Sequence, residues 1–103
     1  MGVVIDPQST DLQTARGIVQ RLLAGTGAKA TLFGSRARGD ARQWSDIDLA
    51  IEFVNATPDG ILSELREALE QSNILLNVDV VDLNDASSTI REAAKREGVP
   101  WIG

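Results

Sequence analysis

Residues 46–53, Asp-Ile-Asp-Leu-Ala-Ile-Glu-Phe, alternate with a period of two. Ile47, Leu49, Ile51 and Phe53 fall on one face; Asp46, Asp48, Ala50 and Glu52 fall on the other. Successive side chains point to opposite faces of an extended strand, so this segment reads as a strand buried on one side. A sheet with one apolar face must be covered there, and the rest of the chain has to supply the cover.

The other periodicities do so. Residues 10–24 form an amphipathic helix carrying Leu12, Ala15, Val19, Leu22 and Leu23 at helical spacing. Thr10 is placed to cap it with Gln13 reaching back, and Gly25-Thr26-Gly27 ends it. Ala28–Phe33 reads as a strand stopped by Gly34-Ser35, and Ser35–Arg42 as a short helix. Thr57-Pro58 opens the next helix, which buries Ile61, Leu62, Leu65, Ala68 and Leu69. Leu75–Leu83 is a third strand, with Leu76, Val78 and Val80 on one side and Asn77, Asp79 and Val81 on the other. Asn84 or Asp85 is expected to cap a last helix bearing Ile90, Ala93 and Ala94, closed by Gly98 and Pro100. This order predicts an α/β (α+β) fold: a small mixed sheet with helices packed on one face and the other face left for chemistry. Residues 1–103 are expected to form one domain.

Composition narrows the chemistry. The chain has no cysteine and no histidine. Disulfides, thiolate metal sites and imidazole acid–base catalysis are therefore excluded, and any metal must be held by oxygen, which favours Mg²⁺ or Mn²⁺. The formal net charge is −5, so binding to extended nucleic acid is disfavoured. No apolar run approaches the ~20 residues that cross a bilayer. The opening Met1-Gly2-Val3-Val4-Ile5-Asp6 lacks the basic region of a signal peptide. A cytoplasmic location is the expectation.

Two segments carry candidate chemistry. At Gly34-Ser35-Arg36-Ala37-Arg38-Gly39 a strand ends at a glycine and enters a helical turn. The first N–H groups of a helix favour an anion, a glycine admits close approach, a serine adds a hydroxyl, and arginine adds a charge-assisted fork. Gly34, Ser35, Arg36 and Arg38 are thus candidates for a triphosphate cradle. Either arginine could instead pair with Asp40 or Glu52. Asp46 and Asp48, two apart on a strand, present carboxylates on the same face about 7 Å apart along the backbone. If the third strand is a neighbour, Asp79 joins them. Asp82 also lies near that strand's end, but Asp79 is the one opposite the Leu76-Val78-Val80 face. Three converging carboxylates need a cation. Glu52 reads as solvated, Trp44 as packed beneath its own turn, and Trp101 and Ile102 as covering core or joining an oligomer contact.

Gly34-Ser35, Arg38-Gly39, Ser45-Asp46-Ile47-Asp48 and Val78-Asp79-Val80-Val81 together resemble the signature of the DNA polymerase beta-like nucleotidyltransferase superfamily. The short length is similar to its minimal nucleotidyltransferase (MNT) branch, antitoxins found beside HEPN-domain toxins. The resemblance implies the polymerase beta-like fold, with Asp46 and Asp48 ligating two Mg²⁺ ions. It further implies that Asp79 binds the catalytic metal and helps activate the acceptor, while Gly34 and Ser35 hold the β- and γ-phosphates of ATP. The implied reaction moves AMP onto a tyrosine of a partner HEPN toxin. Two alternatives stand beside it: an antitoxin that neutralises its partner by contact alone, and nucleotidyl transfer to a small molecule or an RNA end. Whether the chain forms homo-oligomers is left open.

Overall fold

The computed structural model describes residues 7–102, with side chains from Thr10 onward. The Met1–Asp6 opening lies outside the described residues. In chain order the elements are α1 (Pro7–Leu23), β1 (Ala28–Phe33), α2 (Ser35–Arg38), β2 (Ile47–Phe53), α3 (Ile61–Glu70), β3 (Val78–Asp82), α4 (Ser88–Glu97) and β4 (Val99–Ile102). The four strands form one mixed sheet in the order β3-β2-β1-β4. β1 runs antiparallel to β2, from Ala28 opposite Phe53 to Phe33 opposite Asp48. β3 runs parallel to β2, and β4 antiparallel to β1.

The period-two segment is the central strand. Ile47, Leu49, Ile51 and Phe53 are buried, and across the ladder Ala28, Ala30, Leu32 and Val80 join them on the same face. α1 covers this face with Ala15, Ile18, Val19 and Leu23, and α3 with Leu65 and Leu69. Each fully buried side chain such as Leu49 or Leu65 contributes about 2 kcal/mol by leaving water. The expectation of helices on one face holds for α1 and α3. α4 instead lies against β1 from the side of Thr31: a Cβ at Gly98 would strike the Thr31 methyl and the Ala94 carbonyl. It covers the far part of the second face and leaves the Asp48 end uncovered.

Several expected boundaries move. α1 begins at Pro7, so Thr10 lies inside it and not at its cap. The predicted helix Ser35–Arg42 stops at Arg38, because Gly39 adopts a left-handed φ of 85°. The Gly39 and Asp40 N–H groups then both donate to the Ser35 carbonyl, at 3.0 and 3.1 Å. α3 starts at Ile61 behind Gly60, not at Thr57-Pro58. Neither Asn84 nor Asp85 caps α4. Ser87 does so, its hydroxyl accepting from the Ile90 N–H at 3.4 Å. Asn84 bridges strands: its Oδ1 accepts from Phe53 N–H at 3.1 Å, and its Nδ2 donates to the Phe53 carbonyl at 3.3 Å. The third strand is shorter than expected, and β4 had no counterpart in the sequence reading. Trp101, read as covering core, does so from β4 at 7% exposure.

One buried acid holds the edge of the fold. Asp11 on α1 is 6% exposed, and its Oδ2 accepts from the N–H groups of Leu75 and Leu76, each at 3.0 Å. This pins the loop that leads into β3 onto the first helix. Asp11→Ala would leave two amides without a partner, one of them buried, and is expected to cost about 2–3 kcal/mol. In urea unfolding it should lower the midpoint at unchanged slope; an unchanged midpoint would show that water replaces the carboxylate at no cost.

Candidate active site

The second face of the sheet gathers the acidic residues by register. Asp48 on β2 lies directly beside Asp79 on β3 in the parallel ladder. Asp46 stands two residues before Asp48, immediately ahead of the strand. Asp46 and Asp79 are exposed and Asp48 is half-buried. Asp82, the other acid of β3, is engaged in the turn that follows, its Oδ1 accepting from the Asn84 N–H at 2.9 Å.

The ladder also brings the glycine turn to the same place. Phe33 pairs with Asp48, so Gly34, the next residue, reaches the carboxylate. Gly34 has φ 76° and ψ −157° at the N-cap position of α2. A Cβ there would collide with the Asp48 carboxylate. Glycine is thus required twice, by a backbone angle that L side chains avoid and by the space that Asp48 fills. Ser35 is the first helical residue, half-buried beside it, with Gly34 in the cap position.

The two arginines, equivalent in the sequence, separate in space. Arg36 turns back under its own loop. Its Nη2 donates to the carbonyls of Ser45 at 2.9 Å, Arg42 at 3.2 Å and Gln43 at 3.4 Å, and its Nε to Ser45 at 3.3 Å. It braces the segment that delivers Asp46 to β2. Arg38 is half-exposed and pairs with Asp40 at 3.1 Å and with Glu97, at the end of α4, at 2.9 Å. It also lies close enough to Asp48 to pull that carboxyl's pKa down. Trp44 is 69% exposed on the braced loop and not packed beneath its turn. Glu52 is half-buried, in a cleft of about 290 Å³ beneath α4 that also presents Lys29, Arg91 and Lys95. Glu97 was missed in the sequence reading. An acidic residue in the last turn opposes the helix dipole, and that was the one available signal.

Electrostatically the site is unfinished. Burial, then the charges of Asp79 and Asp46, push the Asp48 carboxyl above its ordinary range, and only Arg38 pulls the other way. Among the described residues no three acidic side chains close into a ready-made cation cage. The donor set is all oxygen and carries an excess of negative charge, so these residues fit Mg²⁺.

The family model for polymerase beta nucleotidyltransferases matches residues 27–101. The chain belongs to the polymerase beta nucleotidyltransferase family. The matched span contains Gly34, Ser35, Arg36, Arg38, Asp46, Asp48 and Asp79. This nucleotidyltransferase is 33% identical over 94 residues to MntA, a probable protein adenylyltransferase of Haemophilus influenzae, covering 89% of this chain and 79% of that one. It superposes on a toxin–antitoxin crystal structure with AMP-PNP at a TM-score of 0.68 and 27% identity, over 85% of this chain and 73% of the other. It also superposes on a complex of the tri-AMPylated HEPN toxin of Shewanella oneidensis with its MNT antitoxin. There the TM-score is 0.62 at 26% identity, over 88% and 71% of the two chains. The family resemblance drawn from the sequence is borne out.

Because its carboxyl is pushed up, Asp48 holds its proton to higher pH in the folded, metal-free nucleotidyltransferase than in the unfolded chain. Stability therefore falls as pH rises from the ordinary carboxylate value through the raised one. Asp48→Asn cannot carry the charge and is expected to melt above wild type at pH 7 in chelator, the gap narrowing as pH falls towards about 4. Melting curves with the same gap at both pH values would remove the charge crowding as its cause.

Proposed function

We propose that this nucleotidyltransferase is a Mg²⁺-dependent antitoxin that transfers AMP from ATP to a tyrosine of a partner HEPN toxin. Residues 1–103 act as a single catalytic domain in the cytoplasm; among the described residues no helix is long and apolar enough to cross a membrane. The observation that carries the reading is the side-by-side register of Asp48 and Asp79, with Gly34 shaped around the Asp48 carboxylate. The relatives support the acceptor class: one is a probable protein adenylyltransferase, and another is bound to a HEPN toxin bearing AMP. The structure with AMP-PNP supports an adenine nucleotide as donor.

In this reading Asp46, Asp48 and Asp79 hold two Mg²⁺ ions, which when bound supply charge neutralisation of the triphosphate and lower the pKa of the acceptor hydroxyl. Gly34 and Ser35 receive the β- and γ-phosphates on backbone N–H groups and the serine hydroxyl. Arg38, held by Asp40 and Glu97 beside the carboxylates, adds positive charge on the phosphate side. Arg36 keeps the loop ahead of Asp46 in place through its carbonyl contacts. Asp79 orients the acceptor hydroxyl and takes its proton. The acceptor oxygen attacks the α-phosphorus, the bond to the bridging oxygen breaks, and pyrophosphate leaves.

The test is calorimetric titration of AMP-PNP with and without Mg²⁺, alongside AMP transfer to a purified HEPN toxin. Wild type should bind only with the metal. Asp48→Asn should lose roughly tenfold or more in affinity, and transfer should fall roughly a hundredfold or more. If Asp48→Asn neutralises the toxin as well as wild type does, neutralisation works by contact and the enzymatic reading fails.

A further inference from the structure

Resting on the protein-acceptor reading above, one constraint decides where the acceptor enters. Displacement at phosphorus is in line, so the attacking oxygen arrives opposite the departing pyrophosphate. With the β- and γ-phosphates at Gly34 and Ser35, beyond the end of β1, attack comes from the other side of Asp48, over β3. β3 is an edge of the sheet. The acceptor polypeptide must therefore meet the outer edge of β3, which no strand among the described residues pairs with.

That edge is open in a defined way. The Ile47 N–H donates to the Asn77 carbonyl at 2.9 Å, and the Leu83 N–H to the Ile51 carbonyl at 2.9 Å. In a parallel ladder this alternation turns the backbone groups of Asp79 and Val81 toward β2 and those of Val78 and Val80 outward. Of the outward groups, the Val80 carbonyl is taken by Arg66 Nη2 at 3.1 Å. Alongside runs a groove of about 520 Å³ between β3 and α3, bordered by Leu69, Ile74, Leu75 and Asp79. Leu75 is 74% exposed, although its loop is pinned to α1 through Asp11. A large apolar side chain held in water on a fixed loop, beside an outward-facing strand edge, is what a strand-addition site presents.

We infer that the free edge of β3 receives an extended segment of the protein acceptor, which pairs with Val78 and sets its hydroxyl-bearing side chain over Asp79. Sheet geometry then specifies the segment. The residue opposite Asp79 shares its face, while the residues immediately before and after it turn to the groove with Val78 and Val80. Strands lie about 4.8 Å apart, so the acceptor backbone stands one strand beyond Asp79 and two beyond Asp48. The segment is a tyrosine flanked on both sides by apolar residues. Glu70 on the groove and the net charge of −5 favour basic residues farther out.

The test uses blocked synthetic peptides with one central tyrosine and outer lysines. The tyrosine is flanked by leucine and valine in one peptide, by two serines in a second, and by N-methylated leucine and valine in a third. AMP transfer is followed from labelled ATP with Mg²⁺. The first peptide should exceed the other two about tenfold or more in kcat/KM, a difference of about 1.4 kcal/mol. Val78→Pro, tolerable because the Val78 N–H points away from β2, and Leu75→Glu should each abolish that preference without changing KM for ATP. Equal rates for the three peptides, or variants that keep the preference, overturn the inference. If none of the peptides accepts AMP while AMP-PNP binds with Mg²⁺ and the HEPN toxin is modified, the edge-docking inference alone is wrong. If the toxin is not modified either, the protein-acceptor reading falls with it.

Discussion

The backbone ladder between β2 and β3 sets Asp48 beside Asp79, and no side-chain rotation can separate the residues that bear these charges by more than a few ångströms. Everything else at this end of the sheet answers to that pairing. Gly34 exists in its conformation because the Asp48 carboxylate fills the space where a side chain would go. Arg38 supplies the nearby opposing charge, and it is held in turn by Glu97 from an element almost at the other end of the chain. The opposite face of the same two strands buries Leu49, Ile51 and Val80 almost completely. The core therefore carries an unfavourable arrangement of charge, as functional sites commonly require.

What the sequence made legible was local and periodic. β1 and β2 could be placed because their patterns run for six or seven residues and each stops at a turn signal. The aspartates and Gly34 stood out because they interrupt those patterns with residues a strand does not favour. Helix starts were the weak point. Thr57-Pro58 and Asn84-Asp85 look like starts, yet Gly60 and Ser87 occupy the cap positions. Asn84 is drawn away by the Phe53 backbone, a partner no local rule can foresee. β4 was invisible because four residues containing Pro100 carry too little pattern to read.

The division of labour between Arg36 and Arg38 shows the same limit at the site. Both sit on one helical turn two residues apart. Arg36 finds the carbonyls of a loop only six to nine residues ahead, whereas Arg38 finds a carboxylate fifty-nine residues away. Local sequence offers both arginines the same neighbours, and only the closing of the sheet assigns them. Trp44, expected beneath its own turn, stands 69% exposed on a loop whose carbonyls on either side of it are held by Arg36.

The pairing of Ala30 with Ile102 has a consequence for how the molecule comes into being. β1 is an inner strand in the finished sheet, but during synthesis one side of it stays bare until β4 has been made. β1 and β2 can join early across a short connection. The parallel β2–β3 pairing waits for α3 to cross over, and the closing pairing carries the largest loop entropy of all. In that interval the growing chain exposes an apolar strand with an open edge, a template for pairing with other chains. Yield in a cell should thus depend on how quickly the last strand arrives, even though β4 contributes no residue to the carboxylate cluster.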